Sequence, residues 1–496
     1  MSMNFKTFFK ESANYQIDDF ADKWNKALSE SEELRVALTL MEEIHKLFPD
    51  KEIYIVGGVP RDLLMGNEVD DVDLATNIPF ESLQKHFELR NISKNDSQPV
   101  YTILYKGYNY DLAKFREDSY GVAGRQNNVS TETDNFEADT RRRDLTINSF
   151  GLDFTGRIVD YQNGLEDLNN RLIRAVGNAK ERFSEDATRI LRIFRFAAKM
   201  GFDIEPNTLK DAIEMKHLLS NPKAISVESI SKEIYKAAKS GPALARYFEK
   251  LDDAGILEDL LPEFTAMKGY DHNPEYHPEG DSLVIGHILE CLKVSRYSSP
   301  IINLAILFHD FGKATTRTTN AKGFSSYKGH EAAGVPIVSG IFDRLRFAEV
   351  SAQEKKQILF AVENHMLVHN LDNLKTKTLT KLILDDPDAW TVCKAVAHCD
   401  EASRGEGLYN EEEFWDKINK AEQKVYSLGQ NKDDLRLKIK KYVDGNKLME
   451  WYPVLKKDPK RLRPILDELT EFIIKEMENG NAPTKEDIQK IVRKYV

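Results

Sequence analysis

IYIVGGVPRDLLMGNEVDDVDLAT, residues Ile53 to Thr76, decides how this chain reads. IYIV is a short apolar run of β character, and Gly57-Gly58 ends it where a ligand or another backbone can approach closely. Ten residues after Arg61, a second apolar-flanked segment carries Asp71-Val72-Asp73. Strand alternation predicts Asp71 and Asp73 on one face and Val72 in the core. Two neighbouring carboxylates repel, so a cation between them is expected. Hard oxygen ligands at this spacing suit Mg²⁺, which completes its shell with substrate phosphates. Glycine N–H groups that can face a triphosphate, followed by such a carboxylate pair, are the layout of a phosphoryl-transfer site. Each feature alone has a plainer reading, an ordinary turn for Gly-Gly and a solvated strand edge for the aspartates. Their order on one strand–turn–helix–strand unit carries the argument.

Outward from this stretch, residues 16–48 read as an amphipathic helical leader, with Leu34, Leu38, Met41, Ile44 and Leu47 at three- and four-residue spacing. From 51 to about 165 strand signals dominate (IYIV, VYTILY, YNYDLAKF, TINSFGLD), and from about 166 the pattern turns helical and stays so. At 496 residues the chain has room for about three domains. With 41% hydrophobic and 30% charged residues it falls in the soluble globular class. No apolar run approaches a membrane span, and the first residues show no hydrophobic signal core. Three widely spread cysteines argue against a disulfide framework and point to a reducing cytoplasm. A net charge of −11 weighs against a nucleic-acid partner, yet between Asp139 and Lys199 twelve Lys/Arg stand against nine Asp/Glu. One basic face is enough to bind a folded RNA.

Taken together, GGVPRDLLMG…DVD resembles the nucleotidyltransferase head of the class II tRNA nucleotidyltransferase and bacterial poly(A) polymerase family. Pro60 departs from the family's usual small or apolar residue, at a helix start where proline is tolerated. The resemblance implies an α+β fold: a small mixed-sheet, polymerase-β-like head followed by all-α neck, HD and tail domains. The boundaries expected are a leader 1–50, head 51–165, neck 166–265, HD domain 266–408 and tail 409–496. It implies that Asp71 and Asp73 hold two Mg²⁺ ions, with Asp111 in GYNYDLAKF as the third carboxylate; an edge-strand aspartate would read the same. Gly57, Gly58 and Arg61 are then expected at the phosphates. RRRDLTINSFGLD is similar to the family's RRDFTINAM motif and implies that Arg143, Asp144 and Asn148 hold the nucleotide. The polar segment from Arg116 to Asp139 resembles the loop of enzymes that add the terminal adenosine, although the family's Arg-Arg-Pro reads Arg125-Gln126-Asn127 here.

SEDATRILRIFRFAAKMGF opens with the helix-start residues Ser184, Glu185 and Asp186. The three-residue step places Asp186 and Arg189 on one face, with Arg192 and Arg195 following. A solvated, ion-paired face is the bland reading. The family's EDxxR motif implies instead that Asp186 and Arg189 pair with the edge of the incoming base, supported by Arg192 and Arg195. Ser229 stands where the family commonly has arginine.

Eight of the eleven histidines fall between His272 and His398. IGHILECL, INLAILFHDFGK, KGHEAAGV, VENHMLVH and AHCDEASRG together resemble the HD phosphohydrolase superfamily. The resemblance implies a divalent transition metal on His287, His309, Asp310 and Asp400, and a second near His330 and His365. The sequence does not choose among Mn²⁺, Fe²⁺, Ni²⁺, Co²⁺ and Zn²⁺. Lys313, three residues past Asp310, could contact a substrate phosphate. The tail resembles the family's transfer-RNA grip, with Lys456, Lys457, Lys460, Arg461 and Arg463 suited to phosphates.

The expectation is therefore an enzyme that adds CCA to tRNA from CTP and ATP. An A-adding enzyme or a poly(A) polymerase is the nearest alternative, although QKHFELRNISKND lacks the basic aromatic motif usual in poly(A) polymerases. A phosphohydrolase using the head as an RNA tether is an alternative of another class, and a non-catalytic RNA binder a third.

Overall fold

The computed structural model describes residues 20–69, 71–92, 100–120, 128–272, 279–319, 323–405, 407–429, 432–456 and 459–495. Two compact units emerge, Met1–Glu233 with Lys250–Leu260 and Ile234–Glu249 with Leu261–Val496.

The first unit is built on a seven-stranded sheet. Its strands are β1 (Ile53–Val56), β2 (Asp73–Thr76), β3 (Glu88–Asn91), β4 (Val100–Tyr105) and β5 (Tyr108–Lys114), with β8 (Gly151–Leu152) and β9 (Ile158–Val159) at the far edge. They lie in the order β3-β4-β5-β2-β1-β8-β9. β2 runs parallel to β5 and antiparallel to β1, so the sheet is mixed, as expected. Helices Phe20–Glu30 and Glu32–Leu47 lie against it, and Leu34, Leu40 and Ile44 share one core with Ile55, Leu74 and Leu112. Ser31 separates the two helices and caps the second, its side chain accepting from the Leu34 N–H.

Two sequence expectations change, and a third falls partly outside the described residues. TINSFGLD is not a continuous strand: Thr146–Asn148 is a 3-10 turn and only Gly151–Leu152 pairs in the sheet. The Thr146 hydroxyl donates to Asp167 at 2.7 Å, and Asn148 is committed to Arg61 at 2.6 Å, so side-chain bonds hold a turn where alternation suggested a pleat. Among the described residues of the segment from Arg116 to Asp139, β6 (Arg116–Tyr120) pairs antiparallel with β7 (Asn128–Glu132), and helix Phe136–Arg141, capped by Asn135, follows. Arg125, Gln126 and Asn127 lie outside the described residues. Finally, the helix expected to open at Ser184 begins at Ala179, because Asn178 takes the N-cap, and ends at Glu185. A second helix, Thr188–Met200, follows, with Asp186 in extended conformation between the two.

The second unit is helical. Helices Val284–Val294, Ala352–Val368 and Pro387–Ala402 pack around the nearly all-apolar helix Pro300–Phe308 (PIINLAILF), and His330–Leu345 packs on Ala352–Val368. Further along, helices Leu462–Glu478 and Lys485–Val492 bury Ile465, Leu469, Ile473 and Ile488 in a separate core. No helix among the described residues is long and apolar enough to cross a membrane.

Candidate active sites

In the first unit β1 delivers the chain to Gly57 directly beside Asp73, since Val56 and Asp73 are register partners. Gly57 has φ +79°, and a Cβ there would stand 3.3 Å from Asp73 Oδ2. Both the left-handed backbone and the close carboxylate call for glycine. Asp73 and Asp111 are register partners on the parallel strands β2 and β5, so their side chains rise side by side. The Thr102 hydroxyl donates to Asp111 Oδ1 at 2.9 Å. Asp71 lies just before β2, not on it, in the left-handed region at φ +53°. Val72 is nevertheless buried between two exposed aspartates, as alternation predicted. Loss of hydration, then the neighbouring charges of Asp111 and Asp71, push the Asp73 carboxyl up to about 6, although its side chain reaches solvent; Arg143 works against the rise.

Behind the carboxylates runs a chain of paired charges. Arg61 is buried; its fork bonds Asp62 at 2.7 and 3.0 Å and Asn148 Oδ1 at 2.6 Å. Asn148 donates in turn to Asp144 at 3.4 Å, and Arg192 bonds the other oxygen of Asp144 at 2.7 Å. Burial opposes ionisation of Asp144, but Arg192 and Asn148 hold its carboxyl below the usual range. Asp139, also buried, bonds both Arg142 and Arg143 and stays ionised because those guanidinium groups outweigh its desolvation. The Phe196 ring stacks under Arg61, Arg192 and Arg195 at 4.4–5.5 Å.

Asp186 and Arg189 do not share one helical face. Asp186 Oδ1 accepts from the Thr188 N–H at 2.9 Å. The Arg189 guanidinium is held by Glu185 at 2.5 Å and by the Arg142 carbonyl at 2.8 Å. Arg195 is buried on Glu233 at 2.5 Å. Sequence reasoning missed Asp62, Asp139, Glu185, Phe196 and Glu233. Asp139 and Glu185 carried a signal, standing three or four residues from the arginines they hold; Phe196 and Glu233 did not.

In the second unit all six expected residues converge. His309 and Asp310 end helix Pro300–Phe308, His287 comes from the helix before it, His330 begins its helix, His365 lies near the end of the next, and Asp400 sits in Pro387–Ala402. Asp310 reaches His309 Nε2 at 3.3 Å, His330 Nε2 at 3.2 Å and Lys313 Nζ at 2.5 Å. His287 Nε2 lies 3.1 Å from Asp400, and His330 and His365 face each other at 3.3 Å through Nε2. The Nδ1 atoms are engaged elsewhere. His309, His330 and His365 each bond the carbonyl three residues earlier, at 2.7–2.9 Å, and His287 bonds Glu279 at 2.7 Å. That arrangement leaves Nε2 as the lone-pair nitrogen facing the cluster.

His309 Nε2 is buried and makes no hydrogen bond although the Asp310 carboxylate stands 3.3 Å away, a need that metal ligation would satisfy, so the residues fit a divalent cation. Burial works against ionisation of Asp310 and Asp400, but the facing His and Lys groups hold both carboxyls well below the usual range. Burial, then the adjacent His309, lowers His365 to about 3. His369, absent from the sequence expectation, bonds Asp400 at 2.8 Å and Glu401 at 2.7 Å. Both carboxylates overcome its desolvation and raise it to about 9. A cleft lined by Lys313, Tyr327, Lys328, His330 and Arg404 opens over the cluster.

Gly312 sets the spacing here. A Cβ on it would fall 1.8 Å from the His330 carbonyl oxygen and 2.6 Å from the Gly334 nitrogen, backbone atoms that cannot swing aside. Gly312→Ala is therefore expected to destabilise the unit by about 1–3 kcal/mol or more and to displace His330. Calorimetric unfolding checks this; an unchanged transition would contradict the close contact.

Known proteins bear on both sites. A family model described as Poly A polymerase head domain matches residues 53–174, one described as Probable RNA and SrmB- binding site of polymerase A matches 201–268, and the HD domain matches 284–444. The Multifunctional CCA protein of Acinetobacter baumannii strain SDF is 34% identical over 367 residues, 71% of this chain and 84% of that protein. The fold is similar to the CCA-adding enzyme of Bacillus stearothermophilus in complex with CTP (TM-score 0.66, 20% identity, 94% of this chain and 98% of that one). It is similar as well to a CCA-adding enzyme in apo form II (TM-score 0.59, 14% identity, 96% and 98%). With a curated relative matched at that identity over most of its length, the chain belongs to the multifunctional CCA protein family, carrying a poly(A)-polymerase-type head and an HD domain.

Proposed function

We propose that this chain adds CCA to the 3′ end of tRNA from CTP and ATP, without a template, and that its HD domain hydrolyses phosphoesters. The observation that carries the first part is the placement of Asp73 and Asp111 side by side on parallel strands, with Asp71 at the lip and Gly57 against Asp73. Family membership supplies the substrates, and a relative of the same fold is described as a complex with CTP. Asp71, Asp73 and Asp111 would hold Mg²⁺, which supplies neutralisation of the triphosphate and activation of the RNA 3′-hydroxyl. Gly57 and Gly58 leave room for phosphate oxygens against the turn. Arg61, clamped by Asp62 and Asn148, keeps that turn in register, and Arg143 turns positive charge toward the carboxylates. Asp186 and Arg189 read the base edge, with Glu185 fixing the plane of the Arg189 fork. The exposed Lys460, Arg461 and Arg463 would meet RNA phosphates; Lys457 lies outside the described residues.

The test is incorporation of labelled CTP and ATP, separately and together, into tRNA transcripts ending before CCA, after CC, or complete. Addition that builds CCA and stops is the expected result. Adenosine joining only the CC-ending transcript would make this an A-adding enzyme, and a long adenosine ladder a poly(A) polymerase.

Cation binding at the head should depend on pH. Asp73 must lose its proton to ligate, and its folded-state pKa of about 6 lies above the ordinary carboxylate value. Affinity is thus full above that pH and is lost as pH falls through it, by about tenfold per unit below. Calorimetric titration of Mg²⁺ between pH 5 and pH 8 (about the range needed) measures this, and an affinity constant down to pH 5 would contradict it.

A further inference from the structure

Helix Pro387–Ala402, which carries Asp400, keeps its winding past its last residue. Ser403 holds helical dihedrals (φ −62°, ψ −24°), and the Arg404 N–H donates to the Glu401 carbonyl at 3.2 Å. The Ser403 hydroxyl donates to the Asp400 carbonyl at 2.8 Å, and Gly405, at φ +86°, ends the turn. Arg404 therefore stands one turn after Asp400, and both line the cleft over the HD cluster. Its Nε is buried and has no hydrogen-bond partner among the described residues. Glu401, which feels the Arg404 charge, accepts instead from His369 at 2.7 Å.

We propose that Arg404 binds the phosphoryl group of the HD domain's substrate, its guanidinium fork taking non-bridging oxygens of a phosphoester held over the cluster. The proposal rests on the reading of the HD cluster as a phosphohydrolase site. Lys313, the cation expected to meet that phosphate, is engaged elsewhere. It is buried; its ammonium donates to Asp310 Oδ2 at 2.5 Å and to His272 Nε2 at 3.1 Å, and lies 5.6 Å over the centre of the Tyr327 ring. Those neighbours use the three N–H directions an ammonium has. Lys328 stands exposed at the rim, a point charge on a solvated stem. Arg404 differs from both, because part of its fork is already out of water with a donor unpaired, a deficit that a bound anion removes. The cleft's carboxylates are each matched by a ring: Asp310 faces His309 and His330, Asp400 faces His287 and His369, and Glu331 faces His330. A basic residue at a helix C-terminus has a plainer use, the helix dipole, which needs no buried donor.

The experiment uses the full-length chain loaded with Co²⁺ and freed of excess cation, with inorganic phosphate as the ligand and bis(p-nitrophenyl) phosphate as the substrate. Calorimetric titration gives the phosphate affinity, and steady-state assays give KM and kcat. In Arg404→Ala the phosphate Kd and the KM should rise about tenfold to a hundredfold, as loss of a charge-assisted bond predicts, with bound Co²⁺ and the unfolding midpoint unchanged. Removal of a binding contact should change kcat less than KM. Arg404→Lys keeps the charge without the fork and should recover only part of the loss. A phosphate Kd within about twofold of the parent overturns the proposal, and a lowered unfolding midpoint beside it assigns Arg404 to the helix end. Loss of bound Co²⁺ in both variants overturns it as well, since Arg404 would then act through Asp400. A parent that takes up Co²⁺ yet neither binds phosphate nor cleaves the diester overturns the phosphohydrolase reading itself, and the Arg404 assignment with it.

Discussion

Asp71→Ala combined with Asp73→Ala is expected to lower nucleotide incorporation by at least about a thousandfold while leaving tRNA affinity within about twofold. Cation stabilisation of the transferring phosphoryl group contributes several kcal/mol, and each ~1.4 kcal/mol is a factor of ten in rate. These aspartates stand at the exposed end of β2 and support no core packing, so the sheet should survive their loss. Labelled-CTP incorporation and filter binding measure the two quantities. Activity within tenfold of the parent would remove Asp71 and Asp73 from the reaction. A parallel fall in tRNA affinity would make them part of RNA recognition. Asp73→Asn alone should show most of the effect, because Asp73 adjoins both Gly57 and Asp111.

The second large effect concerns the other unit. His309→Ala with Asp310→Ala removes the orphaned nitrogen and the carboxylate that reaches His309, His330 and Lys313. Phosphohydrolase activity on a generic phosphodiester should fall to background, and bound transition metal with it, while CCA addition persists. Elemental analysis beside both assays distinguishes the outcomes. Loss of both activities would break the two-site reading; retention of hydrolysis would place that chemistry elsewhere. Because Asp310 is buried beside Lys313, its removal strands a buried cation. The variant is expected to lose stability as well, by about 3–5 kcal/mol. The more conservative His309→Gln separates metal loss from unfolding.

How much of this was legible depended on the scale of each feature. The strands IYIV, VYTILY and YNYDLAK were readable because alternation and β-branched or aromatic residues are local signals, and they are β1, β4 and β5. Their pairing was not, so the register that places Asp111 beside Asp73 could not be derived from spacing. The helix start at Ser184 was misplaced because Asn178 is an equally good cap six residues earlier. That shift gives the Arg189 fork to Glu185, one residue before the expected partner. In the HD cluster, His309-Asp310 stood out as polar residues closing an apolar helix. His369 did not, since it follows His365 by four residues at the end of a helical stretch and looks like ordinary packing.

The engaged Nδ1 atoms have a consequence for how the HD centre is made. Three of the rings are aimed by a carbonyl of their own segment, three residues back in the chain. Each is therefore oriented as soon as its helix end forms, before the helices meet. The donors are prefabricated locally and only brought together by packing. On the reading of this cluster as a metal site, the metal would enter after the polypeptide has folded and a chelator would strip it with the donors left in place.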